Sequence, residues 1–319
     1  MNTFNDPGCV TTGGNTGVPS CDFIPKNIIG CILAPATLEL TAAEVATSAA
    51  FITKMQALMV ATEANRIYPI WNLVPESDKS EEDVFTTGPT GKSNFVRHGK
   101  PGWVFDNIAA GLFQHREIRK HNLTKTKKVF LVDSDYTVFG TASTTRTGGM
   151  KGFAMSKFFA KSWKPNTGAA ETKFQIELIL DDAKELNDTI QALTLAVNPQ
   201  EVIKGLIDIE LVLVTQDATS CTVQAVEKIS RIPLDQYYAT ELADFDAWVV
   251  VKESAGSAAP VTPTLCAHVE ETSAFKVTMT TPSGVYKISM ASPSALVALN
   301  IGGAPDYAYE SDTLTVTFS

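Results

Sequence analysis

Apolar and polar residues alternate or cluster in short blocks along most of the chain, and the blocks predict short strands more often than helices. Ile28-Ile29-Gly30-Cys31-Ile32-Leu33 is an apolar run of strand length. Thr41-Ala42-Ala43-Glu44 has the spacing of a capping box, and Val45, Ala49, Ile52, Met55 and Met59 follow at helical intervals. This predicts one long helix starting at Thr41, with the methionine-containing stripe as its core face. Ile67 to Leu73 reads as a strand that Pro69 confines to a sheet edge or bulge. Residues 76–94 are polar, without a period, and predict a long loop. Lys127 to Val132 and Tyr136 to Gly140 flank Asp133-Ser134-Asp135 as a hairpin would.

Further on, Phe174, Ile176, Leu178 and Leu180 fall on one side of a half-buried strand, and Asn198-Pro199 opens a short helix. Ile207 to Thr215 and Thr222 to Ile229 are strands joined by a turn at Asp217-Ala218-Thr219. Ser254-Ala255-Gly256-Ser257-Ala258-Ala259-Pro260 is built of small residues and reads as a linker. Beyond it, Phe275 to Thr280, Val285 to Met290 and Leu314 to Phe318 alternate between Pro/Gly turns, the pattern of a small immunoglobulin-like β-sandwich. The expected fold class is α+β: a mostly antiparallel β-sandwich or barrel body with one long flanking helix, plus a small C-terminal β-sandwich. The expected division is a flexible arm over 1–24, rich in Gly, Pro, Thr and Asn, an assembly domain over 25–253, a linker over 254–260 and the sandwich over 261–319.

Composition narrows the functional classes. With 44% hydrophobic and 19% charged residues, the 319-residue chain can bury a substantial core. A net charge of −9 argues against a general electrostatic grip on nucleic acid or an anionic membrane. No basic-then-apolar leader opens the sequence and no apolar run is long enough to span a bilayer, so no membrane association and a reducing cytoplasm are expected. Cys9, Cys21, Cys31, Cys221 and Cys266 are odd in number and form no CxxC pair, which predicts neither a disulfide framework nor a zinc ribbon.

The chemical motifs are sparse. Gly88-Pro89-Thr90-Gly91-Lys92-Ser93 ends like a phosphate-binding loop, but Thr86 stands where the first glycine of that motif belongs, and an acidic stretch replaces the preceding buried strand. A plain turn is the better reading. His115 and His121 are six positions apart and share no helix face with a third ligand; with His98 and His268 they read as solvated or interfacial. No nucleophile elbow occurs. The expectation is no catalytic residue, no cofactor and no metal.

Charge is blocked. Glu76, Asp78, Glu81, Glu82 and Asp83 stand against Lys79 alone, whereas eleven basic residues oppose three acids between His115 and Lys164. Arg116, Arg119, Lys120, Lys125, Lys127 and Lys128 lead that basic block. Solvated faces account for such blocks. So does head-to-tail self-association, with the acidic loop of one subunit against the basic segment of the next.

The hairpin Val129-Phe130-Leu131-Val132-Asp133…Val138-Phe139-Gly140, the Gly152-Phe153-Ala154-Met155-Ser156 segment after it and the appended terminal domain resemble structural proteins of tailed-bacteriophage virions, most closely major tail tube proteins. The resemblance implies a homo-oligomer of stacked rings, six subunits each, around a lumen that passes DNA without binding it specifically. It also implies assembly in the host cytoplasm, residence in the virion and contact with other virion proteins. A capsid or head-decoration protein, or a surface adhesin-like binding module, would share the same layout.

Overall fold

The computed structural model describes residues 25–87, 92–108, 111–165, 172–254, 257–280, 282–303 and 307–318. The arm expected over 1–24 lies outside the described residues. Strands dominate, 46% against 19% helix, in several antiparallel sheets. The chain divides into two compact units. One runs through Leu58 and from Thr62 to Ile203; the other comprises Met59–Ala61 and Lys204–Ser319.

The first unit holds β1 (Ile28–Pro35), α1 (Ser48–Met59), β2 (Tyr68–Trp71), β3 (Leu73–Asp78), β4 (Val84–Thr87), β5 (Ser93–Arg97), β6 (Gly102–Asn107), α2 (Leu112–Arg119), β7 (Lys127–Asp133), β8 (Thr137–Ala142), β9 (Met150–Lys151), β10 (Phe153–Ala160), β11 (Gln175–Leu180), α3 (Ala183–Asn187), β12 (Ile190–Thr194) and α4 (Pro199–Val202). Ten of these strands form one sheet with the path β12-β8-β7-β10-β11-β6-β3, onto which β1, β2 and β9 are added. Strand β7 is its hub. It pairs with β1 along nearly its whole length and with β8 and β10 over separate halves. Leu33, Val129, Leu131, Phe139, Phe153, Phe158 and Leu178 share one core cluster. The alternate pair Ile32 and Phe130 is fully buried as well, so both faces of the β1–β7 ribbon are covered.

The turn after β7 is fixed by Asp133, which is fully buried. One carboxylate oxygen accepts from the amides of Asp135 (3.0 Å) and Thr137 (2.9 Å), the other from the amide of Lys26 (3.1 Å). Amide donors compensate the desolvation that a buried carboxylate suffers.

The helix expected from Thr41 starts later. The capping-box bonds form: Thr41 N donates to Glu44 (2.7 Å), and Glu44 N donates to Thr41 Oγ1 (3.3 Å). They close a separate turn, however, and the helix opens at Ser48 with Thr47 Oγ1 accepting from Ala50 N (3.2 Å). Two cap-competent threonines six positions apart divide what a single helical pattern would join. Phe51, Met55 and Met59 form the buried stripe of the 12-residue helix, Ile52 is only partly buried and Ala49 is exposed.

The second unit is a two-sheet sandwich. Its strands are β13 (Leu206–Gln216), β14 (Ser220–Glu227), β15 (Trp248–Ser254), β16 (Ser257–Val261), β17 (Leu265–Val269), β18 (Ala274–Thr278), β19 (Gly284–Met290), β20 (Ala308–Ser311) and β21 (Leu314–Phe318); α5 (Asp235–Tyr238) and α6 (Pro293–Ala298) lie in its connections. One sheet has the order β17-β18-β14-β13-β20, the other β16-β15-β19-β21. Leu211, Val223 and Phe275 of the first share one core with Trp248, Ile288 and Val316 of the second. The Trp248 ring lies tilted against Phe275 (5.7 Å) while its Nε1 donates to the Leu242 carbonyl (2.8 Å).

This moves the expected division. The chain does not part at 254–260. Ser254 pairs with Ser257, and Ala258, Ala259 and Pro260 pair with Glu253, Lys252 and Val251 as the edge strand β16. Small residues and a proline suit an edge, where one row of amides needs no partner. The body expected over 25–253 therefore ends at 203, and strands β13 to β15 belong to the sandwich.

Two outcomes check this account. A fragment of residues 204–319 should unfold cooperatively by circular dichroism, whereas 261–319, lacking β13 to β15, should show no cooperative transition. Thr47→Ala should lower stability in denaturant by about 1 kcal/mol through loss of the true cap.

Candidate assembly surface

Within the segment expected as a polar loop over 76–94, residues 76–78, 84–87 and 93–94 are strand. Glu76 and Asp78 lie in β3, the edge of the main sheet, with Ser77 opposite Val104 and Asp78 opposite Trp103. Strands β4 and β5 then form a two-stranded hairpin of their own. A strand whose side chains face water on both sides has no hydrophobic period to reveal it. The hairpin base is held by Lys79 N to the Gly102 carbonyl and Glu81 N to the Lys100 carbonyl, both 2.9 Å. Gly99 is required there, because a Cβ would lie 1.8 Å from the Glu81 carbonyl oxygen. Gly88 to Gly91 of the phosphate-loop-like motif lie outside the described residues; Ser93 opens a strand, where that motif would need a helix.

On this hairpin Phe85 and Phe95 are cross-strand partners in edge-to-face contact at 5.7 Å. They remain 57% and 50% exposed, and Val96 is 53% exposed. The His98 ring packs on Phe95 at 4.6 Å. Two strands without a third layer are marginally stable in water, and exposed aromatics on them signal an interaction surface.

The acidic block is largely paired within the chain. Glu76 accepts from Lys173 (2.7 Å) and from Gln175 Nε2, and Glu81 pairs with Arg97 (3.0 Å). Asp83 accepts from the Gly99 amide (2.8 Å) and lies 3.3 Å from His98 Nδ1; the Gly99 amide is the first cause that holds its carboxyl below the usual range. Asp78 accepts from Ser80 N at 2.7 Å. Glu82 is exposed.

The basic block is not one patch. Arg116 and Arg119 are exposed on α2 and Lys120 just after it, and Glu117 pairs with both Arg116 (3.4 Å) and Lys120. Lys125 is exposed. Lys127 and Lys128, on β7, are half-buried, and desolvation brings the Lys127 amine down to about 8 and lowers that of Lys128. Lys127 Nζ sits 3.4 Å from the centre of the Tyr68 ring, which also meets the His121 ring at 4.3 Å. Lys151 is buried, and Lys157 pairs with Glu177 at 2.8 Å.

Helix α2 buries only His115 and Ile118, while Leu112 and Phe113 in its first turn are 51% and 52% exposed, and nearby Ile108 is 74% exposed. Arg116 lies 5.6 Å from the Phe113 ring. No charge-block reading finds these apolar positions; they stand out only because the fold leaves them uncovered.

Of the four histidines expected as solvated or interfacial, three are wholly or partly buried. His115 is buried and its Nε2 donates to the Lys161 carbonyl (2.5 Å). His121 is half-buried, and burial, reinforced by Lys127 and Lys120, lowers it to about 4. His268 pairs with Asp235 at 3.1 Å; His98 alone is largely exposed. Cys31, Cys221 and Cys266 are buried, and burial raises each thiol to about 12. Among the described residues no group of three or more His, Cys, Asp or Glu is placed to hold a metal ion, and no helix is long and apolar enough to cross a membrane. No protein-family model matches the chain, and no match was found among curated proteins.

The His121 shift has a defined sign. Its folded value is below the unfolded 6.5, so its contribution is fully present above 6.5 and is lost as pH falls through about 4. The stability difference between wild type and His121→Gln should change in that window by on the order of 2–3 kcal/mol, read from urea midpoints at successive pH values.

Proposed function

We propose that this chain is a self-assembling structural protein of a tailed-phage virion, a tail-tube subunit whose rings stack into a channel for DNA. The observation that carries the reading is the β4–β5 hairpin. It is a two-stranded sheet outside the main sheet and presents Phe85 and Phe95 to solvent. Burying such a pair against another subunit gains roughly 1.5–3 kcal/mol per side chain, and repetition of that contact around and along a tube multiplies the gain.

In this reading the first unit forms the tube wall. Its ten-stranded sheet supplies the wall's strands, and six copies close a ring. The second unit is an immunoglobulin-like module appended to the subunit. The net charge of −9 favours a lumen along which DNA slides without sticking. Assembly takes place in the host cytoplasm and the product resides in the virion. No catalytic residue, cofactor or metal enters the scheme.

Negative-stain microscopy of the purified protein should show rings or tubes. Closed shells would favour a capsid role, and single subunits at every concentration would overturn assembly altogether. Phe85→Ser/Phe95→Ser should reduce the assembled fraction at least tenfold in sedimentation velocity while leaving the far-ultraviolet circular dichroism of the subunit unchanged.

A further inference from the structure

We propose that the surface receiving this hairpin is the outer side of α2 on a second copy of the same chain; the inference rests on the assembly reading and specifies its contact. Two observations in the first unit support it. Helix α2 is covered only in part, since it buries His115 and Ile118 while Leu112 and Phe113 face water. Ile108, just before the helix, extends this exposed apolar area. A surface helix ordinarily turns its larger apolar groups inward, so this outer side has the character of a contact face.

The two surfaces also match in kind. The hairpin offers an aromatic pair with Glu82 exposed near its base. The helix offers an aromatic, Phe113, beside Arg116, with Arg119 one turn further on. Aromatic groups can pack centrally while Glu82 meets the Arg119 guanidinium at the rim, the usual division between a contact's apolar centre and its charged margin; Arg116 is already engaged by Glu117. The other carboxylates of the acidic block do not supply the complementarity, because Glu76, Glu81 and Asp83 are engaged by Lys173, Arg97 and Gly99. The contact joins two different patches, so it is heterologous. Its repetition generates a ring or an open stack rather than a closed dimer.

The test places a photo-activatable benzoylphenylalanine at Phe95 of the full chain, in a mixture of isotopically light and heavy protein. Irradiation followed by peptide mapping should give light–heavy cross-links to residues 108–120. A second probe at Phe85 should reach the same segment, which guards against one probe disturbing the hairpin. Glu82→Lys and Arg119→Glu should each weaken association about tenfold at low salt, and their combination in one chain should restore it.

Cross-links to another segment, or between two hairpins, in protein that still assembles would overturn this contact and leave the assembly reading standing. Protein that stays monomeric with both probes and without them would overturn both.

Discussion

The first unit depends on one strand being paired on both edges and covered on both faces. Strand β7 carries Val129 and Leu131 into one core and Phe130 against Ile32 on the opposite face, while β1 takes one edge and β8 with β10 the other. A strand in that position cannot slip by one residue without turning each buried side chain to the other face, so its pairing sets the register around it. Asp133 ends the strand. Its buried carboxylate gathers three backbone amides and thereby fixes where β7 stops and β8 begins.

The second unit solves a different problem. Neither of its sheets can shield its own inner face. Each sheet therefore covers the other, with Trp248 anchored by the Leu242 carbonyl and packed on Phe275. Strands β18 and β19, consecutive in the chain, lie in different sheets. Strand β14 beside β18, and β15 beside β19, show why the sandwich cannot be separated at Ser254. The small residues after that point reflect an edge strand with little to bury.

The exposed features follow from the same economy of burial. Edge strand β3 pairs on one side only, and the Glu and Asp it exposes discourage the addition of another strand. The hairpin that follows has the reverse character. It exposes aromatics on a ladder too short to be stable alone, and α2 leaves Leu112 and Phe113 half-exposed while burying Ile118. Charge pairing inside the chain absorbs most of the acidic block, so the apolar groups, and not the block as a whole, distinguish these surfaces.

The local pattern determined the elements whose two sides differ or whose turns have distinctive chemistry. The β7–β8 hairpin at Asp133, the strands around Asp217, the Asn198-Pro199 helix start and the alternation of β11 were all legible, because the periodicity that marks them is the burial that forms them. Tertiary structure decided the rest. Helix α1 begins at Thr47 and not at Thr41, since both threonines can cap and packing selects between them. The domain division sits at 203 because sheet membership is a non-local property, and the small residues of β16 do not encode which strand they pair with. The hairpin Phe85–Phe95 and the bare face of α2 were invisible for a related reason: an apolar residue in a sequence reads as core until the fold shows that nothing covers it.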